Sequence, residues 1–291
     1  MNIVIFGGRG FIGKTLQKKA EELGHEIEVF DLTEEDVRDP KTFEKRLKEK
    51  KADAVINLAA ILGTMNEAPS IQELFETNVM GNLKTLRAAY NVGVRNYVFT
   101  SSMTVHGENK IGEPQTRFSP FNPKHGYSAS KASAEFSMMQ FLKEAPEMKI
   151  VTVRPTMVLG EGTYLPHAPI EFIKTILEGK NIEIYGEGTH EREWIWIDDV
   201  AEGIIKAVDY TVSADAGYYP FFLSSVRISM RDLAERIANK LGGKVKFVPS
   251  TKQAFTLTSD FSESQKLLNW SPKDDIDSMI DKLINILSKK S

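Results

Sequence analysis

The stretch Asn2-Ile-Val-Ile-Phe-Gly-Gly-Arg-Gly-Phe-Ile-Gly13 decides the fold of this chain of 291 residues. Residues 2–6 form a short, largely apolar run with β-branched residues, which is typical of a buried parallel strand. Glycines follow at once, and helical periodicity runs from Phe11 to Leu23. Because a strand, a glycine turn and a helix occur in that order, the stretch predicts a turn that binds a dinucleotide.

The three spaced glycines have separate physical roles. Gly7 permits the tight turn, Gly10 lets the backbone approach a pyrophosphate, and Gly13 lets the helix pack closely on the strand. The first N–H groups of the helix, around Phe11 and Ile12, supply hydrogen-bond donors and a partial positive charge to the phosphates. A glycine turn without a ligand is the competing interpretation of this stretch taken alone.

The second predicted strand, Glu26–Phe30, is followed by Asp31. This carboxylate lies 18 positions after Gly13, close to where an acidic residue binds the hydroxyls of the adenosine ribose. It also repels a 2′-phosphate, so the sequence favours NAD over NADP. NADP stays the alternative cofactor because of Arg9, since a basic side chain inside the turn can reach a 2′-phosphate.

Composition narrows the class of protein further. The length favours a dinucleotide-binding unit with a smaller cap, and the net charge of −3 offers no basic field for nucleic acid. The absence of cysteine excludes disulfides and zinc–thiolate sites, and the spacing of the histidines predicts no metal. The longest stretch without Asp, Glu, Lys or Arg, residues 54–66, is too short to cross a bilayer. We therefore expect a cytoplasmic protein without a membrane partner.

Predicted strands and helices alternate through the first half of the chain. The predicted helices lie near Lys41–Lys50, Ile71–Asn91 and Tyr127–Lys143, and the predicted strands at Ala54–Leu58, Asn96–Ser101 and Lys149–Val153. This alternation predicts an α/β fold of the Rossmann type, a doubly wound parallel sheet with helices on both faces.

Prolines and glycines interrupt that alternation past Arg154. Beyond it we expect a strand and turn at Ile182–Gly188, a half-buried strand around Trp194 and Trp196, a helix at Asp198–Tyr210 capped by its aspartates, and a last sheet strand at Tyr219–Leu223. The expected NAD-binding domain comprises residues 1–160 and about 191–225. Residues of about 161–190 and 226–291 are expected to form a smaller, discontinuous C-terminal substrate domain.

Ser102, Tyr127 and Lys131 form a candidate catalytic set. Tyr127 and Lys131 are four residues apart at the start of a predicted helix, so their side chains share one face. A lysine ammonium and the positive nicotinamide of an oxidised cofactor together lower the pKa of a phenol from about 10. Ser102 follows a strand and can hydrogen-bond a substrate oxygen. The set predicts proton transfer at a hydroxyl while a nicotinamide exchanges hydride; an ordinary packed tyrosine is the competing interpretation of Tyr127 alone.

With these motifs the chain resembles the extended short-chain dehydrogenases/reductases of the NAD-dependent epimerase/dehydratase family, and it is most similar in pattern to sugar-nucleotide 4-epimerases. The resemblance runs nearly end to end. It implies that Asp36 and Val37 hold the adenine and that Asn78 steadies a loop beside the pyrophosphate and ribose. The further cofactor-binding residues that it implies are Leu58, Ala59, Ala60 and Pro155, beside Tyr127 and Lys131.

The resemblance also implies a substrate site and a partner. Ser102 and Arg192 match positions that bind a sugar nucleotide, Arg192 through its pyrophosphate, and Met157 stands where a substrate-binding asparagine is usual. A homodimer through the helices 71–91 and 127–143 is implied, although helices that merely cover the sheet are the competing account. The chain departs from the family's pattern at His106, where tyrosine is usual, at Leu165-Pro166, and in residues 254–264, which contain no arginine.

The expected reaction follows from which proton-transferring residues are present. Dehydratases of the family carry an Asp-Glu pair where this chain has Met103 and Thr104, and epimerases acting beside a keto group often use a cysteine, which is absent. We therefore expect 4-epimerisation of a nucleotide sugar with recycled NAD. A dehydrogenase or reductase of a small hydroxy or keto compound, supported by Met157 and by similarity of residues 57–62 to short-chain threonine dehydrogenases, is the alternative. A nucleotide-sensing protein without turnover is the second.

Overall fold

The computed structural model describes residues 1–30, 41–62, 69–163, 165–251 and 255–289, with Lys41 and Thr42 described by their backbone. Asp31, Asp36 and Val37, three of the predicted cofactor residues, lie outside the described residues. The strands in chain order are β1 (Asn2–Phe6), β2 (Glu26–Phe30), β3 (Ala54–Asn57), β4 (Asn96–Thr100), β5 (Lys149–Pro155), β6 (Met157–Leu159), β7 (Ile182–Tyr185), β8 (Glu191–Trp196), β9 (Gly217–Leu223), β10 (Val226–Ser229) and β11 (Val245–Val248).

The helices complete the layers around these strands. They are α1 (Phe11–Glu22), α2 (Lys41–Glu49), α3 (Ile71–Phe75), α4 (Asn82–Asn91), α5 (Gly126–Phe141), α6 (Ala168–Leu177), α7 (Ile197–Ser213), α8 (Met230–Leu241), α9 (Ser262–Leu268) and α10 (Ile276–Ser288). None of the helices in the described ranges combines the length and the apolar character that crossing a membrane requires.

The central sheet has six parallel strands in the order β2-β1-β3-β4-β5-β9. The chain runs outward from β1 to β2 and then returns to the other side of β1 as β3. This reversal opens a crevice at the carboxyl ends of β1 and β3, where doubly wound sheets bind their ligands. The predicted α/β fold of the Rossmann type is confirmed, including the last strand over Gly217–Leu223.

Helices bury both faces of the central sheet. On one face α1 and α7 contribute Leu16 and Ile204 to a buried cluster that Trp270 closes. On the other face Phe43, Leu86 and other residues of α2, α4 and α5 pack on the sheet. With both faces covered, the side chains that matter for chemistry lie at the carboxyl edge of the sheet.

A second layer, the cap, has its own core. It contains a three-stranded sheet in the order β10-β8-β6 and the parallel pair β7 and β11, packed against α6, α8 and α10 through residues such as Ile173, Leu233 and Met279. Trp194 and Trp196 of β8 are fully buried in this core, so the expectation of a half-buried strand was wrong. Because β8 pairs with cap strands, residues 191–196 join the cap sheet, and the division of the chain into two domains stays a proposal.

Two helices differ from the sequence prediction for tertiary reasons. The expected helix over Ile71–Asn91 is divided by a π-helical turn, Glu76–Gly81, and such turns occur often at functional sites. Helix α7 begins after Trp196 without a side-chain cap. Asp199, expected to cap it, accepts hydrogen bonds from the backbone N–H groups of Lys273 and Asp274 instead, so that expectation was wrong.

Candidate active site

A cavity of about 420 Å³ lies where the carboxyl ends of β1, β3, β4 and β5 face the cap. Most of the site residues predicted from the sequence line it. These are Gly7, Gly10, Phe11, Ile12, Gly13, Leu58, Ala60, Ser102, Tyr127, Lys131, Pro155 and Met157. Ala59, Asn78 and Arg192 are not part of its wall.

The glycine turn leaves no room for side chains at two positions. Gly7 has a φ of +77°, and a Cβ atom there would lie 2.7 Å from the backbone nitrogen of Ala59. At Gly13 a Cβ would come within 2.2 Å of the carbonyl oxygen of Gly8. Gly10 is the N-cap of α1 and no side chain caps that helix, so its first N–H groups are available to an anion. These features fit the pyrophosphate of a dinucleotide.

The loop after β3 is held by two buried asparagines. The Asn57 amide nitrogen donates to Asn82 Oδ1 at 3.0 Å and to Thr85 Oγ1 at 3.1 Å, while its Oδ1 accepts from the Ala59 N–H at 3.0 Å. Asn78, in the π-helical turn, exchanges two hydrogen bonds of 2.9 and 2.8 Å with the backbone of Ile61. The loop is therefore fixed beside the glycine turn.

The three predicted catalytic side chains line the same cavity. Ser102 follows β4, and its hydroxyl lies 2.9 Å from the Thr104 hydroxyl and accepts from the Thr104 N–H at 3.3 Å. Tyr127 stands in the first turn of α5, and the Lys131 Nζ atom lies 6.0 Å from the centre of its ring. Lys131 also donates to the carbonyl oxygen of Thr100 at 2.8 Å. Helix α5 thus presents both residues to the end of β4.

Lys131 is a buried amine whose Nζ atom lies 4.5 Å from the centre of the Phe99 ring. Burial lowers its pKa to about 7, and the carboxylate of Glu135 opposes that effect. In the described ranges no carboxylate comes within ion-pair distance of its ammonium group. An amine with a pKa near neutrality, beside a tyrosine and in a cavity, is typical of a site that moves protons.

Glu135, one helical turn after Lys131, was missed by the sequence analysis. Its fully buried carboxylate accepts hydrogen bonds from Arg154, at 3.0 Å from Nε and 2.5 Å from Nη2, and from the hydroxyls of Ser101 and Tyr218. Although burial acts to lower the pKa of Arg154, the Glu135 carboxylate holds it above its usual value. These contacts tie α5 to β5, to β9 and to Ser101, which follows β4 and lines the cavity.

His106 extends this network. Arg154 Nη1 donates to His106 Nε2 at 2.9 Å, so the other nitrogen, Nδ1, carries the hydrogen and donates to the carbonyl oxygen of Pro120 at 3.2 Å. Burial and the charge of Arg154 lower the pKa of His106 to about 4. The histidine that replaces the family's usual tyrosine is therefore a neutral acceptor for Arg154.

Arg192 lies outside the cavity, on the cap strand β8. Its Nη1 donates to the backbone carbonyl oxygens of Glu191, at 3.0 Å, and Phe255, and its guanidinium lies 4.2 Å from the centre of the Phe255 ring. Phe255 also lines a second, more open cavity of about 1310 Å³. The arginine is thus beside a large cleft that is distinct from the catalytic cavity.

Comparisons with known proteins agree with this geometry. The model of the "NAD dependent epimerase/dehydratase family" matches residues 3–218. An uncharacterised protein of Methanocaldococcus jannaschii is 28% identical over 280 residues, covering 94% of this chain and 84% of that protein. A UDP-glucuronate 4-epimerase of Thermodesulfobacterium geofontis is 28% identical over 241 residues, covering 80% and 71%.

A solved structure shares the fold along its whole length. The UDP-glucose-4-epimerase of Stenotrophomonas maltophila, with bound NAD and formylated UDP-arabinopyranose, superposes with a TM-score of 0.85 and 20% identity, covering 100% of both chains. At that identity the likeness establishes the common architecture of sheet and cap.

Proposed function

The chain belongs to the NAD-dependent epimerase/dehydratase family, and we propose that it catalyses the 4-epimerisation of a nucleotide sugar through a transient 4-keto sugar. One observation carries the proposal. The glycine turn, Ser102, Tyr127 and Lys131 line a single cavity, whereas the next two residues, Met103 and Thr104, offer no acid or base for water elimination.

NAD is the cofactor of this family, and we assign each part of it to residues of this chain. We assign the pyrophosphate to the turn of Gly7, Gly10 and Gly13 with the N–H groups of Phe11 and Ile12, and the nicotinamide to the region of Pro155. We assign the nicotinamide ribose to Lys131, and the adenosine to Asp31, Asp36 and Val37. The adjoining loop, which we assign to the pyrophosphate and ribose, contains Leu58, Ala59 and Ala60 and is held by Asn78. When bound, NAD accepts a hydride from the carbon that bears the hydroxyl and returns it later.

Tyr127 performs the proton transfer in this proposal. As a phenolate it removes the proton of the sugar 4-hydroxyl while C4 loses its hydride, which leaves a C4 ketone and a neutral tyrosine. The charged form of Lys131 favours the phenolate, and Ser102 hydrogen-bonds the same substrate oxygen. After the sugar ring presents its other face, C4 regains the hydride and the oxygen regains the proton from Tyr127. The net result is inversion at C4 with no change in NAD.

Other reactions of the family use proton-transferring groups that this chain does not offer at positions 103 and 104 or as a cysteine. Met103 is buried and apolar, and the Thr104 hydroxyl is engaged with Ser102, so neither residue serves as an acid or base near neutral pH. A cysteine base is absent from the sequence. Hydride transfer with one proton-transferring tyrosine is the chemistry that remains.

Incubation with UDP-galactose and NAD tests the proposal. We expect UDP-glucose to appear, measured by chromatography of the released sugars, while absorbance at 340 nm shows no net NADH. Tyr127→Phe is the matched control, because it removes one oxygen atom. If no UDP- or dTDP-hexose is converted, the epimerase proposal is wrong.

A dehydrogenase of a small hydroxy compound is the second candidate. Met157 gives the cavity an apolar wall, and the Arg192 guanidinium already donates to two backbone carbonyl oxygens. Both observations favour a substrate without a diphosphate. Net NADH formation from a small alcohol, in the absence of hexose conversion, would support this candidate.

The choice between NAD and NADP is assigned to Asp31. We expect Asp31→Ala to weaken NAD more than NADP in calorimetric titrations, because it removes ribose hydrogen bonds and a charge that repels phosphate. Wild-type protein that binds NADP at least about tenfold tighter than NAD, a difference of about 1.4 kcal/mol, would transfer the discriminating role to Arg9.

We further propose a homodimer through α3, α4 and α5. Exposed apolar side chains occur along this helical surface, among them Ile71 and Phe136, each 57% exposed, and Met80, 48% exposed. A face of this kind is typical of protein–protein contacts. Sedimentation velocity of the wild type and of Phe136→Glu tests the proposal, and a monomeric wild type contradicts it.

A further inference from the structure

His167 lines the catalytic cavity from the cap side. It lies just before α6, and the residues around it on this wall are mostly apolar. They are Met157, Val158, Thr163, Leu165 and Leu257. Since the glycine turn and the catalytic residues line the same cavity, a substrate that reaches Tyr127 can also contact these cap residues.

The ring nitrogens of His167 are not used by the described part of the fold. His125 and His167 both occupy N-cap positions, but only the His125 ring caps its helix, accepting from the Ser128 N–H at 3.2 Å. The His167 ring packs edge-on against Trp194, with ring centres 5.8 Å apart. In the described part of the chain, neither of its ring nitrogens takes part in a hydrogen bond. The ring is therefore held by packing, with its polar atoms left for a ligand.

We propose that His167 determines substrate specificity by hydrogen-bonding an uncharged hydroxyl of the sugar ring, different from the hydroxyl that Tyr127 deprotonates. This inference rests on the proposed function, because it places a sugar in the cavity. It adds a cap residue that selects the substrate to the catalytic residues that transform it.

The chemistry of the ring favours a hydroxyl over a charged group. Burial lowers the pKa of His167, so at neutral pH the imidazole carries one N–H donor and one acceptor nitrogen. A sugar hydroxyl matches both, whereas a carboxylate lacks a donor and would be desolvated against an apolar wall. A site built to hydrogen-bond a hydroxyl rejects analogues that lack it, because its own polar group is then left unpaired.

Kinetics with UDP-galactose and its deoxy analogues test the contact. We expect His167→Phe to raise the KM for UDP-galactose roughly 3- to 10-fold, the range of one neutral hydrogen bond, with kcat within about twofold. His167→Gln, which keeps a donor and an acceptor, should recover much of the loss. His25→Phe is the matched control, because His25 precedes β2 at the amino end of the sheet, outside the residues that line this cavity.

The analogues identify the hydroxyl concerned. Three UDP-hexoses, which lack the 2-, 3- or 6-hydroxyl, are compared with UDP-galactose in the wild type. We expect the KM of one of them to exceed that of UDP-galactose by about the factor that His167→Phe produces. For that analogue, His167→Phe should not raise the KM any further, because the two changes remove the same contact. Additive losses for all three analogues would overturn the proposal.

Nuclear magnetic resonance of the wild-type protein loaded with NAD provides a readout that does not depend on a variant folding. We expect UDP-galactose to shift the ring resonances of His167, assigned from their absence in His167→Phe. Turnover with an unshifted ring and an unchanged KM would overturn this inference and leave the proposed function intact. A shifted ring, with no UDP- or dTDP-hexose converted, would support the contact while rejecting the epimerase. If no UDP- or dTDP-hexose is converted and none shifts the ring, both proposals are overturned.

Discussion

Lys131 and Glu135 lie one turn apart on α5 and are both fully buried, yet their charges are balanced in different ways. Glu135 is surrounded by donors, with Arg154, Ser101 and Tyr218 around its carboxylate. Lys131 donates to the backbone carbonyl oxygen of Thr100 and forms no ion pair within the described ranges, and burial lowers its pKa to about 7.

The difference separates structural from chemical roles within one helix. A buried charge with a full set of partners is costly to disturb, because removing one member leaves the other unpaired. A buried charge without a counter-ion changes protonation easily and can act on a neighbour. We therefore expect substitutions around Glu135 to change stability and substitutions around Lys131 to change catalysis.

Tyr127→Phe should have the largest effect. Because the phenolic oxygen transfers the proton but adds little to dinucleotide binding, we expect kcat to fall by roughly 10²- to 10⁴-fold and NAD affinity to stay within about twofold. Steady-state turnover and calorimetric titration measure the two quantities. Ordinary activity in this variant would remove Tyr127 from the mechanism.

Glu135→Gln should be the most destabilising change. It leaves the Arg154 guanidinium without its buried counter-charge, so we expect the free energy of unfolding to fall by about 3–5 kcal/mol in denaturant titrations. Glu144→Gln is the matched control, since Glu144 pairs with Arg87 on the surface, where both side chains are well exposed, and should cost at most about 1 kcal/mol. Equal losses in both variants would show that the buried network has no special role.

Unlike Glu135→Gln, Lys131→Met should stabilise the protein. Removing an amine that is costly to bury should raise the unfolding free energy of the cofactor-free protein by about 1–3 kcal/mol at pH 7, while lowering turnover by less than Tyr127→Phe does. The folded pKa, about 7, lies below the unfolded value, so the wild type gains stability as pH rises from 7 towards 10.5. The gap between variant and wild type should therefore narrow over that range. A destabilised variant at pH 7 would contradict this explanation.

His106→Gln should have the smallest effect, a change in the free energy of unfolding that occurs only at acidic pH. The folded pKa of His106, about 4, lies below its unfolded value, so the wild type loses stability as pH falls from 6.5 to 4. Glutamine keeps an acceptor for Arg154 but does not titrate. The variant should gain about 1–2 kcal/mol relative to the wild type between pH 7 and pH 5, measured by denaturant titration at both values. Parallel pH curves would contradict the assignment.

Local patterns in the sequence were sufficient to predict the central sheet and to identify Ser102, Tyr127 and Lys131 as candidate catalytic residues. The strand before Gly7 and the four-residue spacing of Tyr127 and Lys131 are signals carried by neighbouring residues, and both are confirmed as structure. The roles of these residues in binding and catalysis stay predictions.

Features that depend on distant partners could not be predicted in this way. The π-helical turn is accompanied by the contacts of Asn78 with Ile61 and Ser130, and the placement of β8 in the cap depends on its pairing with β10 and β6. Glu135 looked like any acidic residue on a helix until Arg154, 19 residues away, was placed beside it. Contacts between residues that are far apart in the sequence leave no periodic pattern from which they could be predicted.

The contrast between the two charges is tested most directly by titrating the Lys131 side chain. Nuclear magnetic resonance of carbon-labelled lysine, with the signal assigned from its absence in Lys131→Met, follows protonation of the amine in the folded, cofactor-free protein. A midpoint near pH 7 is expected if burial without a counter-ion poises Lys131 to act on Tyr127. A midpoint at pH 10 or above would show an ordinary ammonium group, and would contradict the division of roles along α5.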